Sequence, residues 1–135
     1  MQKGNVPPEV IPAVVSDESI DVIVSDAAAD AAVKMIRLSG SLEARSISAI
    51  NQVILPLIES GNVRLVFDCS GLRYVTSPAL GILINYFKKT QAKGGDTKFF
   101  GLEGNILEIF RIVGLTRTFD IHPDERSAVA AFSRT

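Results

Sequence analysis

The sequence predicts an α/β fold: a single domain on a mixed β-sheet whose later strands run parallel, flanked by about four helices. Three observations carry this. Residues 20–25 and 33–39 alternate apolar and polar positions and are rich in β-branched side chains, and the Ala/Asp segment between them is short enough for a hairpin. Residues 63–67 form a near-continuous apolar run, the mark of a strand buried on both faces. Beyond Leu42, helix-period and strand-like segments alternate with short connections, so the order reads ββαβαβαβα and the crossovers make the later strands parallel.

Residues 1–18 hold Pro7, Pro8 and Pro12 without sustained periodicity and read as an N-terminal extension to a domain covering 19–135. Gly40 closes the second strand. Leu42, Ile47, Ile50, Val53, Ile54, Leu57 and Ile58 recur at helical spacing and end near Gly61. Pro56 falls inside this pattern; an interior Pro costs roughly 3 kcal/mol, which predicts a kink or a restart. After the strand at 63–67, Asp68, Ser70 and Gly71 read as turn residues.

Leu80, Leu83, Ile84 and Phe87 make one stripe of the next helix, with Asn85, Lys88, Lys89 and Lys93 on its other faces and Gly94 and Gly95 as its stop. A strand follows at 97–102. Asn105 with Glu108 three residues on reads as a capping box for a helix that buries Ile106, Ile109, Phe110 and Val113 before Gly114. A short strand at 119–121 leads to Pro123, Asp124 and Glu125, the start of a last helix carrying Ala128, Val129 and Phe132.

At 135 residues, 47% apolar and 21% charged, the chain has material for one domain with a real core. A formal charge of −1 supplies no basic field for nucleic acid or acidic lipid, so protein or small-molecule partners are expected. The single Cys69 excludes an internal disulfide, and Cys69 with the single His122 falls short of a zinc set. The apolar run at 10–15 is broken by Pro12 and too short for a signal core or a spanning helix. A cytoplasmic protein without membrane insertion is the expectation.

No catalytic set assembles from the chemistry-bearing residues. His122 beside Pro123 reads as a cap or surface residue. Gly101-Leu102-Glu103-Gly104 lacks the spacing of a phosphate-cradling loop and reads as a helix start. Asp68 is one carboxylate without neighbours, a poor cation site. Lys88, Lys89 and Lys93 read as a solvated face, or as one that meets an acidic partner. No enzyme activity, cofactor or metal is expected. The informative place is the junction Thr76-Ser77-Pro78: Pro suits the first helical position, so Ser77 reads as the N-cap, at the positive end of the helix dipole where an anion is tolerated.

Four segments carry a resemblance: Ile36-Arg-Leu-Ser-Gly-Ser-Leu-Glu43, Leu65-Val-Phe-Asp-Cys-Ser-Gly-Leu-Arg-Tyr-Val75, Thr76-Ser-Pro-Ala-Leu-Gly81 and Ile109-Phe-Arg-Ile-Val-Gly-Leu-Thr-Arg-Thr-Phe119. In this order and spacing, residues 20–132 resemble the STAS domains of bacterial anti-sigma-factor antagonists. In that family the junction usually reads Asp-Ser-Ser-Gly-Leu or Ser-Ser-Ala-Gly-Leu. The serine two places before the Gly is phosphorylated by a partner that is both kinase and anti-sigma factor.

The resemblance implies Ser77 as that serine, Thr76 being the lesser candidate, and a partner surface of Thr76, Ser77, Pro78, Ala79, Leu80 and Lys88. It implies a GHKL-type anti-sigma factor/serine kinase and a serine phosphatase as partners. Unmodified, the protein would bind the anti-sigma factor and release a sigma factor; phosphorylation would block binding. Ser70, in Cys69-Ser70-Gly71-Leu72, matches superficially but follows its strand too directly. The chain departs from the family pattern with Thr76 for Asp, Pro78 for a small residue bearing an N–H, and Ala79 for Gly. Pro78 would leave a Ser77 phosphate only the N–H groups of Ala79 and Leu80. A STAS scaffold in a stress-signalling or membrane transport complex, without Ser77 modification, is the first alternative; a small nucleotide-binding α/β protein is the second.

Overall fold

The computed structural model describes residues 13–16 and 19–134. The expected hairpin forms from β2 (Ile20–Ala27) and β3 (Asp30–Leu42), which pair antiparallel with Val22 opposite Leu38 and Val24 opposite Ile36. Their alternating apolar residues put one face into the core. β1 (Ala13–Ser16) lies within the segment expected as an extension and pairs antiparallel with the outer edge of β2, Ala13 opposite Val24. β4 (Arg64–Val75), β5 (Asp96–Phe100) and β6 (Asp120–His122) then add in parallel to β3, giving one six-stranded sheet in chain order.

One face of the sheet is covered by α1 (Ile47–Glu59), α2 (Gly81–Ala92), α3 (Gly104–Ile112) and the single turn α4 (Leu115–Thr118). Ile50, Ile54 and Ile58 of α1, Leu83 and Tyr86 of α2 and Phe110 of α3 pack there against Ile36, Leu38, Leu65, Phe67 and Phe99. Aromatic rings tie the layers: Phe99 stacks on Phe119 at 4.3 Å and on Phe67 at 5.5 Å between centroids. α5 (Glu125–Ala130) and the 3-10 turn after it cover the opposite face, where Ala128, Val129 and Phe132 meet Met35, Val66 and Phe100.

Several local expectations change. Leu42 ends β3 and does not start the helix; a 3-10 turn at Ala44–Ser46 intervenes. α1 runs through Pro56 as one helix: Pro56 is exposed and lies in the last turn, where a single lost hydrogen bond near solvent is tolerated. β4 extends eight residues beyond the apolar run expected to end at Phe67, because β3 supplies a ladder for it. Register shifts after Arg37 and after Gly40 absorb the extra β4 residues, and a Cβ on Gly71 would lie 2.9 Å from the Leu38 carbonyl oxygen, an approach only glycine permits.

Asn105 is the second residue of α3 and caps nothing; Glu103 holds the cap position and Glu108 pairs with Arg111. The chain turns at Gly114, φ +86°, which leaves Val113 exposed where burial was expected. β6 lies one residue later than expected.

A strand-to-helix junction as the candidate functional site

The candidate site sits where β4 gives way to α2, at the C-terminal ends of the parallel strands, the end from which open α/β sheets present functional loops. Thr76 donates its N–H to Leu42 O at 3.0 Å, so it still belongs to the extended chain leaving the sheet. Its carbonyl accepts the Leu80 N–H at 3.2 Å and its Oγ1 accepts the Ala79 N–H at 3.4 Å. Leu80 holds the N-cap position of α2 without a side-chain cap bond, and Thr76 caps the turn at 77–80 that leads into the helix, which corrects the assignment of the N-cap to Ser77. The reason is tertiary: the bond to Leu42 keeps Thr76 extended, so the chain passes through a turn at 77–80 and the helix begins at Gly81, three residues later than Pro78 alone suggests.

Ser77 is exposed, and neither its hydroxyl nor its N–H finds a partner among the described residues. Pro78 is exposed beside it. Ala79 and Leu80 turn into the core, 0% and 1% exposed, so their side chains face away from any partner. Lys88 is exposed about two turns along α2. The structure thus places Ser77 and Pro78 together at the surface, Thr76 half-buried behind them, and Lys88 further along the helix.

The neighbouring loop is equally fixed. Ser46 is fully buried; its hydroxyl donates to Ser41 O at 2.6 Å and accepts from the Glu43 N–H at 3.2 Å, and Ser19 Oγ lies 2.8 Å away. On the other flank, Arg73, Tyr74 and Val75 at the end of β4 and Asn105, Ile106 and Ile109 of α3 enclose a cavity of about 270 Å³. Tyr74, 54% exposed, forms its outer wall. Sequence reasoning passed over Arg73 and Tyr74. The signal was an aromatic two residues before the Thr-Ser pair, in a segment assigned to a loop.

The other sequence candidates are structural. Ser70 donates its hydroxyl to Asp68 Oδ1 at 2.6 Å, and Asp68 also holds the Ser70 N–H at 3.0 Å and the Arg37 guanidinium at 3.1 Å. A carboxylate beside the Ser70 hydroxyl opposes addition of an anion there. Gly101, φ +81°, lets the turn into α3 pass against β4, where a Cβ would lie 2.7 Å from Ser70 N. Burial, with the Asp68 charge next to it, pushes the Cys69 thiol well above its ordinary range.

His122 packs on the α5 face with Nε2 3.0 Å from Asp120 Oδ2 but without hydrogen-bond alignment. Asp120 Oδ2 also lies 2.7 Å from the buried Lys98 ammonium, which Asp96 holds at 3.0 Å from the other side and the Phe132 ring covers at 4.6 Å. Among the described residues no three His, Cys, Asp or Glu side chains converge as metal ligands, and no helix is long and apolar enough to cross a membrane.

Residues 24–128 match the STAS domain family model, and the chain belongs to that family. It is 26% identical over 94 residues to the anti-sigma-B factor antagonist of Bacillus subtilis (strain 168), covering 70% of this chain and 85% of that relative. An anti-sigma factor antagonist from Mycobacterium paratuberculosis superposes with a TM-score of 0.76 at 23% identity, over 88% of this chain and 98% of the other. The phosphorylated form of the Bacillus cell fate determinant SpoIIAA superposes with a TM-score of 0.61 at 18% identity, over 80% and 97%.

Proposed function

We propose that this protein is an anti-sigma-factor antagonist that works by partner switching, with Ser77 as its phosphoacceptor. The observation that carries this reading is the Ser77 hydroxyl, exposed and without a partner among the described residues, on a junction whose neighbours are held by hydrogen bonds or buried. Thr76 is the weaker acceptor because its Oγ1 is engaged and half-buried. Unmodified, the Ser77 and Pro78 surface binds an anti-sigma factor that is also a GHKL-type serine kinase, and a sigma factor is released.

In the kinase step Ser77 Oγ attacks the γ-phosphorus of the partner's ATP. The bond to ADP breaks, and the hydroxyl proton passes to a base on the kinase. The phosphoryl group brings about −1.5 to −2 charges to the middle of the contact. Each 1.4 kcal/mol of mismatch with a surface shaped for a neutral hydroxyl weakens binding about tenfold. A serine phosphatase restores the hydroxyl with water. The chain acts as substrate and ligand in the cytoplasm, where sigma factors and ATP meet, and catalyses nothing.

The test is peptide mapping of the protein from its own cells, together with partner capture by the wild type, Ser77→Ala and Ser77→Asp. Phosphate on Ser77, with capture retained by Ser77→Ala and lost by Ser77→Asp, supports the switch. Unmodified Ser77 under growth and stress, with capture unchanged in both variants, overturns it in favour of a scaffold.

A further inference from the structure

We propose that Thr76 is a positioning residue that keeps the backbone donors of the turn leading into α2 away from a phosphate on Ser77, so that the phosphate stands in solvent as a dianion little shielded by the protein. This rests on the reading of Ser77 as the phosphoacceptor and concerns how that site is regulated.

A phosphate at a helix start is ordinarily drawn in by the free N–H groups of the first turn, which satisfy its oxygens and spread its charge into the helix dipole. Each donor of this first turn is accounted for. Pro78 has none. The Leu80 N–H is shared by Thr76 O and Ser77 O, both at 3.2 Å, and the Gly81 N–H goes to Pro78 O at 3.1 Å. The Ala79 N–H, the one a Ser77 phosphate would otherwise take, points to Thr76 Oγ1 at 3.4 Å. Among the described residues, only the N–H of Ser77 itself is left. Thr76 cannot drift aside, because its own N–H is tied to Leu42 O at the end of β3, and Ala79 and Leu80 are anchored in the core.

A charge that the protein does not neutralise is a charge the partner must meet. The arrangement leaves the phosphoryl oxygens repelling an approaching anti-sigma factor at full strength, and leaves the phosphorus open to an attacking water held by a phosphatase. A fold that swallowed the phosphate would give a blunter and slower switch. The Thr76 hydroxyl is the element that prevents this.

The test places phosphoserine at position 77 by genetic incorporation, so it depends on no kinase, and follows its second ionisation by ³¹P NMR. With Thr76 present the phosphate should titrate near the free value of about 6. Thr76→Val, which keeps the branched shape and frees the Ala79 N–H, should lower that midpoint by roughly half a unit or more, because a donor to the charged form stabilises it. Thr76→Ser should restore the original midpoint. The Ala79 amide resonance of the Thr76 protein gives a second readout, one that stands even if Thr76→Val fails to fold: it should stay fixed through the titration. A depressed midpoint with a moving Ala79 amide in the Thr76 protein, or an unchanged midpoint in Thr76→Val, overturns the proposal. Absence of phosphate on Ser77 in cells would instead remove the phosphoacceptor reading and leave the titration result as it stands.

Discussion

Lys98 Nζ lies 2.7 Å from Asp120 Oδ2, in a pair that joins β5 to β6, the last strand of the sheet, beneath the C-terminal turn. Lys98 is 6% exposed. Burial would lower its pKa, but the hydrogen bonds it donates to Asp120 and Asp96 outweigh this and hold the ammonium above its usual range. For Asp120, partial burial works the other way and the Lys98 bond wins, holding the carboxyl below its usual range.

Asp120→Asn should therefore cost about 1 kcal/mol at neutral pH, a hydrogen bond to a charged group discounted because the Asp120 side chain is 43% exposed and Lys98 keeps Asp96. A carboxyl with a depressed folded pKa contributes stability above its unfolded value of about 3.9 and loses it as pH falls through the folded value. Urea unfolding at a series of pH values should show wild type and Asp120→Asn converging only in strong acid. A gap that stays constant down to the lowest pH would contradict the linkage.

Tyr86 is fully buried and its hydroxyl donates to Asn51 Oδ1, joining α2 to α1. Tyr86→Phe removes the donor and keeps the ring stack on Phe67, so a loss of about 1–2 kcal/mol is expected from the orphaned acceptor. Chemical denaturation of Tyr86→Phe alone and combined with Asn51→Ala checks it, since the second change should add little once the bond is gone.

Gly95 follows α2 where the chain passes β4: a Cβ there would lie 1.9 Å from the Val63 carbonyl oxygen. Gly95→Ala must displace backbone, and a loss of about 3 kcal/mol is expected. Gly81→Ala, with nothing within 4 Å of its added methyl, is the matched control and should hold or slightly raise the thermal midpoint.

The two hydroxyls of the junction should separate by stability. Ser77→Ala removes no bond and should stay within about 0.5 kcal/mol of wild type, whereas Thr76→Ala removes the cap and should cost about 1 kcal/mol. Equal losses in urea unfolding would return the cap to Ser77.

Cys69, 1% exposed with its thiol pushed upward by burial and by Asp68, should resist alkylation at pH 8 in the native protein. It should react readily once urea unfolds the chain, so mass-detected labelling reports unfolding directly. Fast labelling of the native chain would contradict the burial.

Local patterning was enough to read most of the architecture: the alternation at 20–25 and 33–39, the apolar run at 63–67, the stripe from Leu80 to Phe87 and the glycines that end helices. Each of these signals lies within a few residues of what it specifies. The Thr76-Ser77-Pro78 junction was also visible, because Pro and hydroxyl residues mark a helix start by their own chemistry.

What the sequence determined by itself was the order of elements and the identity of the residues at the junction. Tertiary structure decided the rest. Asp68 to Tyr74 read as a turn because their own preferences are weak, and they became strand because β3 offered a ladder of hydrogen-bonding partners thirty residues away in the chain. Thr76 came to cap the turn before α2 because the Leu42 carbonyl held it in the extended chain, and Lys98 became buried because Asp96 and Asp120 met it from two strands. In each case the deciding partner is distant in sequence, and a backbone hydrogen bond or buried charge pair outweighs a local preference worth about 1 kcal/mol or less.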